Sequence, residues 1–219
     1  MLNFRKAQSR EKELIKTLTG STPEGVICFT FLVSSGRDFY ESFLFGEENN
    51  EVKSIIFDTG DEYFLVYGED FPELFTRCEK TIMIYEKKEA PQSSAKALEG
   101  RDIQEMYKLI SGKNMLSFDD ERRYVLRLRG VNAGLAAVFG IKKEGKLVSC
   151  ASVSSMNENY GLVADVYTDI QERGRGLAAD CLTAGVNFIL EKGKIPLLLC
   201  DGEMCPYYEK AGFTVYGKM

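Results

Sequence analysis

A glycine-rich turn between a predicted strand and a predicted helix carries the clearest chemical signal in this sequence. The turn reads Arg173-Gly-Arg-Gly176, after an apolar run at 163–167 and before a run of helical periodicity at 177–191. The first turn of a helix leaves backbone N–H groups without partners and carries a partial positive charge. Glycine lets the backbone approach a ligand closely. The turn is therefore typical of an anion site, most naturally a phosphate site.

Two common nucleotide-binding fingerprints do not fit this turn. The chain has no G-x-x-x-x-G-K-[ST] run, which a P-loop would need. A dinucleotide-binding fold would place its glycine turn in the first strand–helix unit, with an acidic residue about 20 positions later. Here the turn lies late in the chain, follows a predicted hairpin, and has Ala179 at the third glycine position. These differences argue against both nucleotide folds.

The absence of histidine limits the chemistry that an active site could use. Catalytic triads and the common zinc motifs all need histidine, and the chain has none. Proton transfer would have to use carboxylates, tyrosine, cysteine, lysine, backbone groups or water. The six cysteines include no C-x-x-C pair, so we expect reduced thiols and no metal site. An enzyme of this composition would depend mostly on positioning its substrates.

Charge and hydropathy narrow the class of protein further. The net charge of -5 argues against a general nucleic-acid binder, which would need a basic surface. No apolar run approaches the ~20 residues that span a bilayer. The N-terminus lacks the apolar stretch of a signal peptide. We therefore expect a cytoplasmic protein with no nucleic-acid partner and no membrane partner.

The sequence of the second half predicts helices that alternate with strands on both sides of the glycine turn. Ser117 begins a capping-box pattern, which marks the start of a helix. The predicted elements are two helices, a hairpin, a short buried strand, a short helix and a closing strand, at 102–110, 117–130, 135–154, 195–200, 204–211 and 213–216.

The first half predicts a β-rich domain. Strand-like runs lie at 26–33, 52–57, 62–67 and 81–85, with a helix at 3–18 and a short helix at 71–78. Composition marks the segment at 87–100, which contains Pro91-Gln-Ser-Ser94, as a boundary. We therefore predict an N-terminal domain over residues 1–90 and a second domain over residues 91–219.

Residues 135–219 resemble the Gcn5-related N-acetyltransferase (GNAT) superfamily. The phosphate-binding motif of that family, Q/R-x-x-G-x-G/A, fits in two overlapping registers, over residues 171–176 and over residues 173–178. The second register is preferred because it places Leu182 at the usual apolar position of the helix. A second family signature, Tyr-x-x-x-Gly-Phe, appears at 208–213. The order of the two motifs, with a strand between them, carries the resemblance.

The resemblance implies an α+β fold, a mixed central sheet with flanking helices, and an acyl-CoA ligand. Backbone N–H groups of the glycine turn would hold the CoA pyrophosphate. The end of the preceding strand would pair with the pantetheine amides, and an N–H near Val166 would polarise the thioester carbonyl. The implied cofactor-binding residues are Val166, Tyr167, Thr168, Arg173, Gly174, Arg175, Gly176, Leu177 and Ala178.

Direct attack by an amine would need a proton donor and a route for the amine proton. Tyr208 matches the tyrosine that protonates the departing CoA thiolate in many members of the family. The base stays open among Asp165, Asp201, Glu203 and a chain of water molecules. Four arginines on one predicted helix fit either a solvated face or a site for an acidic acceptor or the CoA 3′-phosphate: Arg122, Arg123, Arg127 and Arg129.

The functional prediction is an N-acyltransferase that moves an acetyl group from acetyl-CoA to a primary amine of a small molecule or a protein. The alternative is a non-catalytic acyl-CoA-binding or regulatory protein of the same fold, and a nucleotide-binding module ranks third. Acetyl-CoA or CoA is the expected co-substrate, without a metal. The expected partner is the amine acceptor, and a homodimer is left open. A degenerate second copy of the fold, which some family members carry at the N-terminus, is compatible with the first half.

Overall fold

Two β-sheets with packed helices make up the part of the chain that the structure describes. The structure is a computed structural model, and it describes residues 3–35, 42–49, 51–58, 63–68, 80–113 and 115–218. The strands β1 to β11 are Asn3–Lys6, Phe43–Glu48, Glu51–Asp58, Tyr63–Tyr67, Thr81–Ile84, Lys96–Ala97, Ala137–Lys143, Lys146–Met156, Tyr160–Thr168, Ile195–Cys200 and Thr214–Lys218. The helices α1 to α6 are Lys12–Thr19, Pro23–Ser35, Arg101–Ser111, Phe118–Asn132, Leu177–Glu191 and Cys205–Lys210. The predicted α+β class is confirmed.

The smaller sheet is antiparallel, in the order β1-β2-β3-β4, and belongs to the first half of the chain. The predicted helix at 3–18 is wrong in its first part, because β1 pairs with β2 there and α1 begins only at Lys12. Arg5 binds Glu47 of β2 at 2.6 Å. A contact between residues so far apart in the chain leaves no trace in local helical periodicity. The helix predicted at 71–78 lies outside the described residues.

The strand predicted at 26–33 is wrong, since this segment lies in helix α2. Pro23 occupies the first helical position, where its missing N–H costs nothing. The Gly25 amide donates to the Thr22 hydroxyl at 3.1 Å, which caps the helix start. Val26, Ile27 and Cys28 are all buried. A continuous apolar run of this kind fits a buried helix as well as a buried strand, so periodicity cannot separate the two.

The larger sheet has the order β11-β5-β10-β9-β8-β7-β6. The hairpin of β7 and β8, the helix α5 and the strand β10 lie where the sequence predicts them. Helix α4 begins with the predicted capping box, in which the Asp120 amide donates to the Ser117 hydroxyl and the Ser117 amide donates to the Asp120 carboxylate. The β9–β10 pair is parallel, and helix α5 makes the crossover between them.

Strand β5 comes from the first half of the chain but lies inside the larger sheet. It pairs antiparallel with β10 on one side and with β11 on the other. Ile82 of β5 is fully buried in a core with Phe43 and Phe57 of the smaller sheet and Leu197 of β10. The domain boundary near residue 90 stays a prediction, but strand hydrogen bonds and two apolar cores cross it.

We predict that Ile82→Ala destabilises the whole protein, because Ile82 has no exposed surface and its core joins the two sheets. Truncating such a side chain costs about 2–5 kcal/mol of unfolding free energy. The matched control is Val215→Ala in β11, where the side chain is 54% exposed and the cost should stay within about 0.5 kcal/mol. Urea unfolding followed by circular dichroism measures both. Equal losses in the two variants would contradict this role of β5.

Candidate active site

Strands β9 and β10 run side by side only at their beginnings. Their parallel register extends from Ile195 opposite Tyr160 to Leu198 opposite Val163, and no pairing follows. Beyond this point β9 continues to Thr168 and stays paired with β8 on its other side. The edge of β9 at 164–168 is therefore not covered by β10. An uncovered strand edge offers backbone groups to a ligand.

A bulge in β9 marks the place where the two strands have separated. Cys150 of β8 lies opposite Tyr167, whereas Ser152 lies opposite Ala164, so β9 holds one extra residue here. Asp165 lies within the bulge with a φ of 53°, a region that non-glycine residues rarely adopt. Such outliers cluster at functional sites, where the surrounding structure holds them in place.

The glycine turn follows β9 directly and starts helix α5. Gly174 and Gly176 both have a φ of 76°, and Gly176 is the N-cap residue of the helix. A methyl group built on either glycine would meet no other atom within 4 Å. The backbone N–H groups at 173–179 make no hydrogen bond to any described residue; the first one of the helix comes from Asp180. This set of free donors beside open space fits an anionic ligand.

Arginine side chains on the turn are held by their neighbours. Arg173 donates to the Thr168 carbonyl at 3.2 Å, and its guanidinium lies 5.6 Å from the centre of the Tyr167 ring. Arg175 pairs with Glu172 at 2.8 Å. Lys143 also donates to Glu172, which lowers the pKa of that carboxyl. The Arg173 side chain thus connects the turn to the end of β9. The Arg175 side chain is directed toward Glu172.

The end of β9, the glycine turn and helix α6 enclose a first cavity of about 520 Å³. Its volume lies within the range of ligand pockets, about 300–1,000 Å³. Arg175 does not line it. The predicted cofactor-binding and catalytic residues that do are Val166, Tyr167, Thr168, Arg173, Gly174, Gly176, Leu177, Ala178 and Tyr208. The residues that sequence reasoning missed are Glu172, Ala179, Met204 and Tyr207.

Tyr208 lies at the far side of the first cavity, on α6. Its ring contacts the Phe213 ring at 6.2 Å between centres, so the two aromatic residues of the second sequence motif pack together. Burial raises the pKa of Tyr208 to about 12, with smaller contributions from Cys200 and Tyr207. The phenol therefore keeps its proton throughout the neutral range, which a proton donor requires.

The buried thiols near the site are protonated near neutral pH. Burial raises the pKa of Cys181 to about 11 and also raises that of Cys200. A thiol without its thiolate form is a poor nucleophile.

In the part of the chain that the structure describes, no group of three or more cysteine or acidic side chains could hold a metal ion. Within the same residues, no helix is long and apolar enough to cross a membrane.

Asp165 is held in an ion pair that the sequence did not reveal. Arg127 of α4 donates to Asp165 Oδ2 at 3.0 Å, and the Ser152 hydroxyl donates to the same oxygen at 2.6 Å. Arg127 also donates to the Val153 carbonyl at 3.2 Å. Its side chain is only 11% exposed, so it does not belong to a solvated helix face. Asp165 Oδ1 accepts no hydrogen bond from a described residue.

The other carboxylates considered as bases lie elsewhere. Glu203 is exposed and lines neither this cavity nor the second one described below. Asp201 is also exposed and pairs with Lys80 at 2.5 Å. Of the three candidates, the structure brings only Asp165 to a cavity. The sequence gives little indication of the Arg127–Asp165 ion pair, because the two residues lie far apart in the chain.

A second cavity of about 840 Å³ lies across β9 from the first. Asp165 lines the second cavity and its neighbour Val166 lines the first. The walls come from α2, α3, α4, β8 and β9, and they include Thr30, Tyr107 and Ser154. Consecutive residues of one bulged strand therefore line two different cavities, which share no lining residue.

The sequence belongs to a family that matches this geometry. The model of the acetyltransferase (GNAT) family matches residues 103–213, slightly more than half of the chain, and the protein belongs to this family. The matched segment contains the bulge, the glycine turn, Tyr208 and the arginines of α4. No curated protein matches the chain.

Solved structures show the same fold. A GNAT-family acetyltransferase from Colwellia psychrerythraea superimposes with a TM-score of 0.65 at 10% identity, over 100% of this chain and 97% of that one. A tandem GNAT protein from the clavulanic acid biosynthesis pathway gives a TM-score of 0.55 at 13% identity, over 100% and 96%. A GNAT-family protein from Novosphingobium aromaticivorans gives a TM-score of 0.52 at 22% identity. This match covers 64% of the present chain and 61% of the Novosphingobium chain. At these identities the similarity shows the fold alone.

We predict that Asp165→Asn destabilises the protein by about 1–3 kcal/mol, because it leaves the largely buried Arg127 without its counter-charge. Asparagine keeps the size of the side chain and tolerates a positive φ, so the loss of charge is the main change. The matched control is Asp201→Asn, which breaks an exposed pair and should cost less than about 1 kcal/mol. Denaturant unfolding measures both variants, and equal costs would refute the structural role of the Arg127–Asp165 pair.

Proposed function

We propose that the protein is an N-acyltransferase that transfers an acetyl group from acetyl-CoA to a primary amine of a small molecule or a protein. The observation that carries this proposal is that the adjacent residues Asp165 and Val166 line two different cavities. One cavity offers free backbone donors for a phosphate-bearing ligand, and the other has room for an acceptor. Membership of the acetyltransferase family supports the same reaction.

The residues of the first cavity fit CoA. The free N–H groups at 173–179 would hold the pyrophosphate, in line with the partial positive charge of the α5 N-terminus. The uncovered edge of β9 would pair with the amides of the pantetheine arm, as an added strand does. The arm would then run along β9 toward the bulge. This path leads the thioester to the boundary between the two cavities.

The proposed chemistry needs no enzyme nucleophile. The amine nitrogen attacks the thioester carbon, a backbone N–H near Val166 stabilises the oxyanion, and the carbon–sulfur bond then breaks. Tyr208 gives its proton to the departing thiolate. The amine proton leaves to Asp165, whose Oδ1 accepts no other hydrogen bond in the described chain, or to water. Positioning by the two cavities supplies the rest of the catalytic effect.

A non-catalytic acyl-CoA-binding protein is the second candidate. The observation that favours it is the double use of Asp165 Oδ2 by Arg127 and Ser152, which fits a structural carboxylate as well as a base. The two candidates differ in one measurable respect. Only the enzyme releases free CoA thiol from acetyl-CoA when an amine is added.

We predict that acetyl-CoA and free CoA bind with micromolar dissociation constants and that Gly176→Ala weakens both by at least tenfold. The added methyl group would enter the open space where the pyrophosphate is proposed to lie. Gly193→Ala is the matched control: Gly193 also has a positive φ and open surroundings, but it follows the other end of α5. Calorimetry with acetyl-CoA, CoA and ATP tests this. Unchanged affinity in Gly176→Ala would overturn the phosphate placement, and tighter binding of ATP than of CoA would favour a nucleotide-binding module.

We predict that Tyr208→Phe lowers kcat for thiol release by about 100-fold, the scale of lost general-acid catalysis, with acetyl-CoA binding little changed. Because the pKa of Tyr208 is about 12, the wild-type enzyme should show no activity loss from this group between pH 7 and pH 10. Tyr216→Phe, an exposed tyrosine of β11, is the control. Full activity of Tyr208→Phe across this pH range would exclude Tyr208 as the acid.

A further inference from the structure

The second cavity carries a positive charge in a protein that is acidic overall. Its walls contain three arginines, Arg123, Arg127 and Arg129, against two carboxylates, Asp120 and Asp165. The net charge of the whole chain is -5. A local excess of positive charge in a cleft attracts and orients anionic ligands, because the low-dielectric walls focus the field.

The two carboxylates of the cavity are already engaged. Asp165 accepts from Arg127, so this pair has no net charge. Asp120 is turned toward Ser117, whose hydroxyl donates to it at 2.7 Å and whose amide donates at 3.2 Å. These hydrogen bonds belong to the capping box of α4 and lower the pKa of the Asp120 carboxyl, with a smaller contribution from the charge of Arg123.

Arg123 and Arg129 are exposed, and neither forms a hydrogen bond or an ion pair with any residue that the structure describes. Arg123 lies one helical turn before Arg127, on the same face of α4. Residues at this spacing have neighbouring side chains, with about 5–6 Å between Cβ atoms. The free guanidinium therefore lies about one turn of helix from the arginine that binds Asp165.

The cavity thus has two electrically different ends. Asp165 lies next to the first cavity, where the reacting amine belongs under the proposed function. Arg123 lies one turn nearer the N-terminus of α4 than Arg127, whereas Arg129 lies two residues beyond Arg127, on its other side. A guanidinium group matches carboxylates and phosphates with two parallel hydrogen bonds. An acceptor with an amine at one end and an anionic group at the other would complement both ends.

We propose that the acceptor is an amine that also carries an anionic group, a carboxylate or a phosphate, and that Arg123 binds this group. The proposal rests on the proposed function, since the second cavity is the acceptor site only if the first holds acyl-CoA. It makes Arg123 a specificity-determining residue. Arg127 keeps the structural position that its ion pair gives it.

The test is calorimetry on the protein saturated with free CoA, with amines that differ only in the anionic group. One arm compares 4-aminobutyrate with butylamine, and the other compares O-phosphoethanolamine with ethanolamine. We expect the anionic member of at least one pair to bind at least tenfold more tightly, and the arm that responds distinguishes carboxylate from phosphate. Acetyl-transfer assays with the same amines should show the preference in KM rather than in kcat.

Two variants test whether Arg123 causes the tighter binding of the anionic amine. Arg123→Ala should weaken binding of the anionic amine by roughly tenfold, the scale of one lost charged hydrogen bond, and leave the neutral amine unchanged. Arg123→Lys should restore part of the loss. Arg122→Ala is the matched control, because Arg122 lies on the same helix but does not line the cavity.

The outcomes separate this inference from the proposed function. Absence of CoA binding would overturn the proposed function. Normal CoA binding with equal affinity for the charged and neutral amines, or with no binding of either anionic amine, would overturn the inference alone. A preference for the anionic amines that survives in Arg123→Ala would overturn the role of Arg123.

Discussion

The whole site depends on where the parallel pairing of β9 and β10 stops. The last pair is Leu198 with Val163, and the bulge at Asp165 follows at once. If the two strands stayed together to their ends, the edge of β9 would be satisfied by β10 and no cleft could form between them. Because they separate, an edge of backbone groups lies open beside the free N–H groups of the glycine turn. An exposed strand edge is usually a liability, and here it faces a cavity in which a ligand with amide groups can pair with it.

Separating two central strands removes hydrogen bonds from the middle of a sheet, so the strands need support on their outer sides. Strand β8 supports β9, and β5 supports β10 through residues Thr81–Ile84. Since β5 belongs to the first half of the chain, that half helps to build one wall of the cleft. Helix α2 adds Thr30 to the second cavity, where its hydroxyl lies 2.6 Å from that of Ser155. The first half is therefore structurally joined to the site, although it carries no motif.

Sequence reasoning succeeded where local pattern and local structure coincide. The glycine turn, the start of α4 at Ser117 and the bounds of α5 and β10 all depend on neighbouring residues, and all were predicted. It failed where contacts between residues far apart in the chain determine the structure. The run at 26–33 lies in a helix whose residues Val26, Ile27 and Cys28 are buried, and β1 formed because β2 was available to pair with it. The Arg127–Asp165 pair and the second cavity join α4 to β9, and nothing in the spacing of these residues predicts that they meet.

The lack of histidine agrees with the proposed use of two separate residues, one that gives a proton and one that takes a proton. Tyr208 lines the first cavity, and Asp165 lines the second. In the proposed reaction the group that protonates the leaving thiolate and the group nearest the amine are separate residues. Each of them moves a proton in one direction: the phenol gives one to the thiolate, and the carboxylate takes one from the amine. A histidine is useful where one group must both take and give a proton near neutral pH. In the proposed reaction, direct transfer between two aligned substrates removes that need, and catalysis depends mainly on the backbone that would align them.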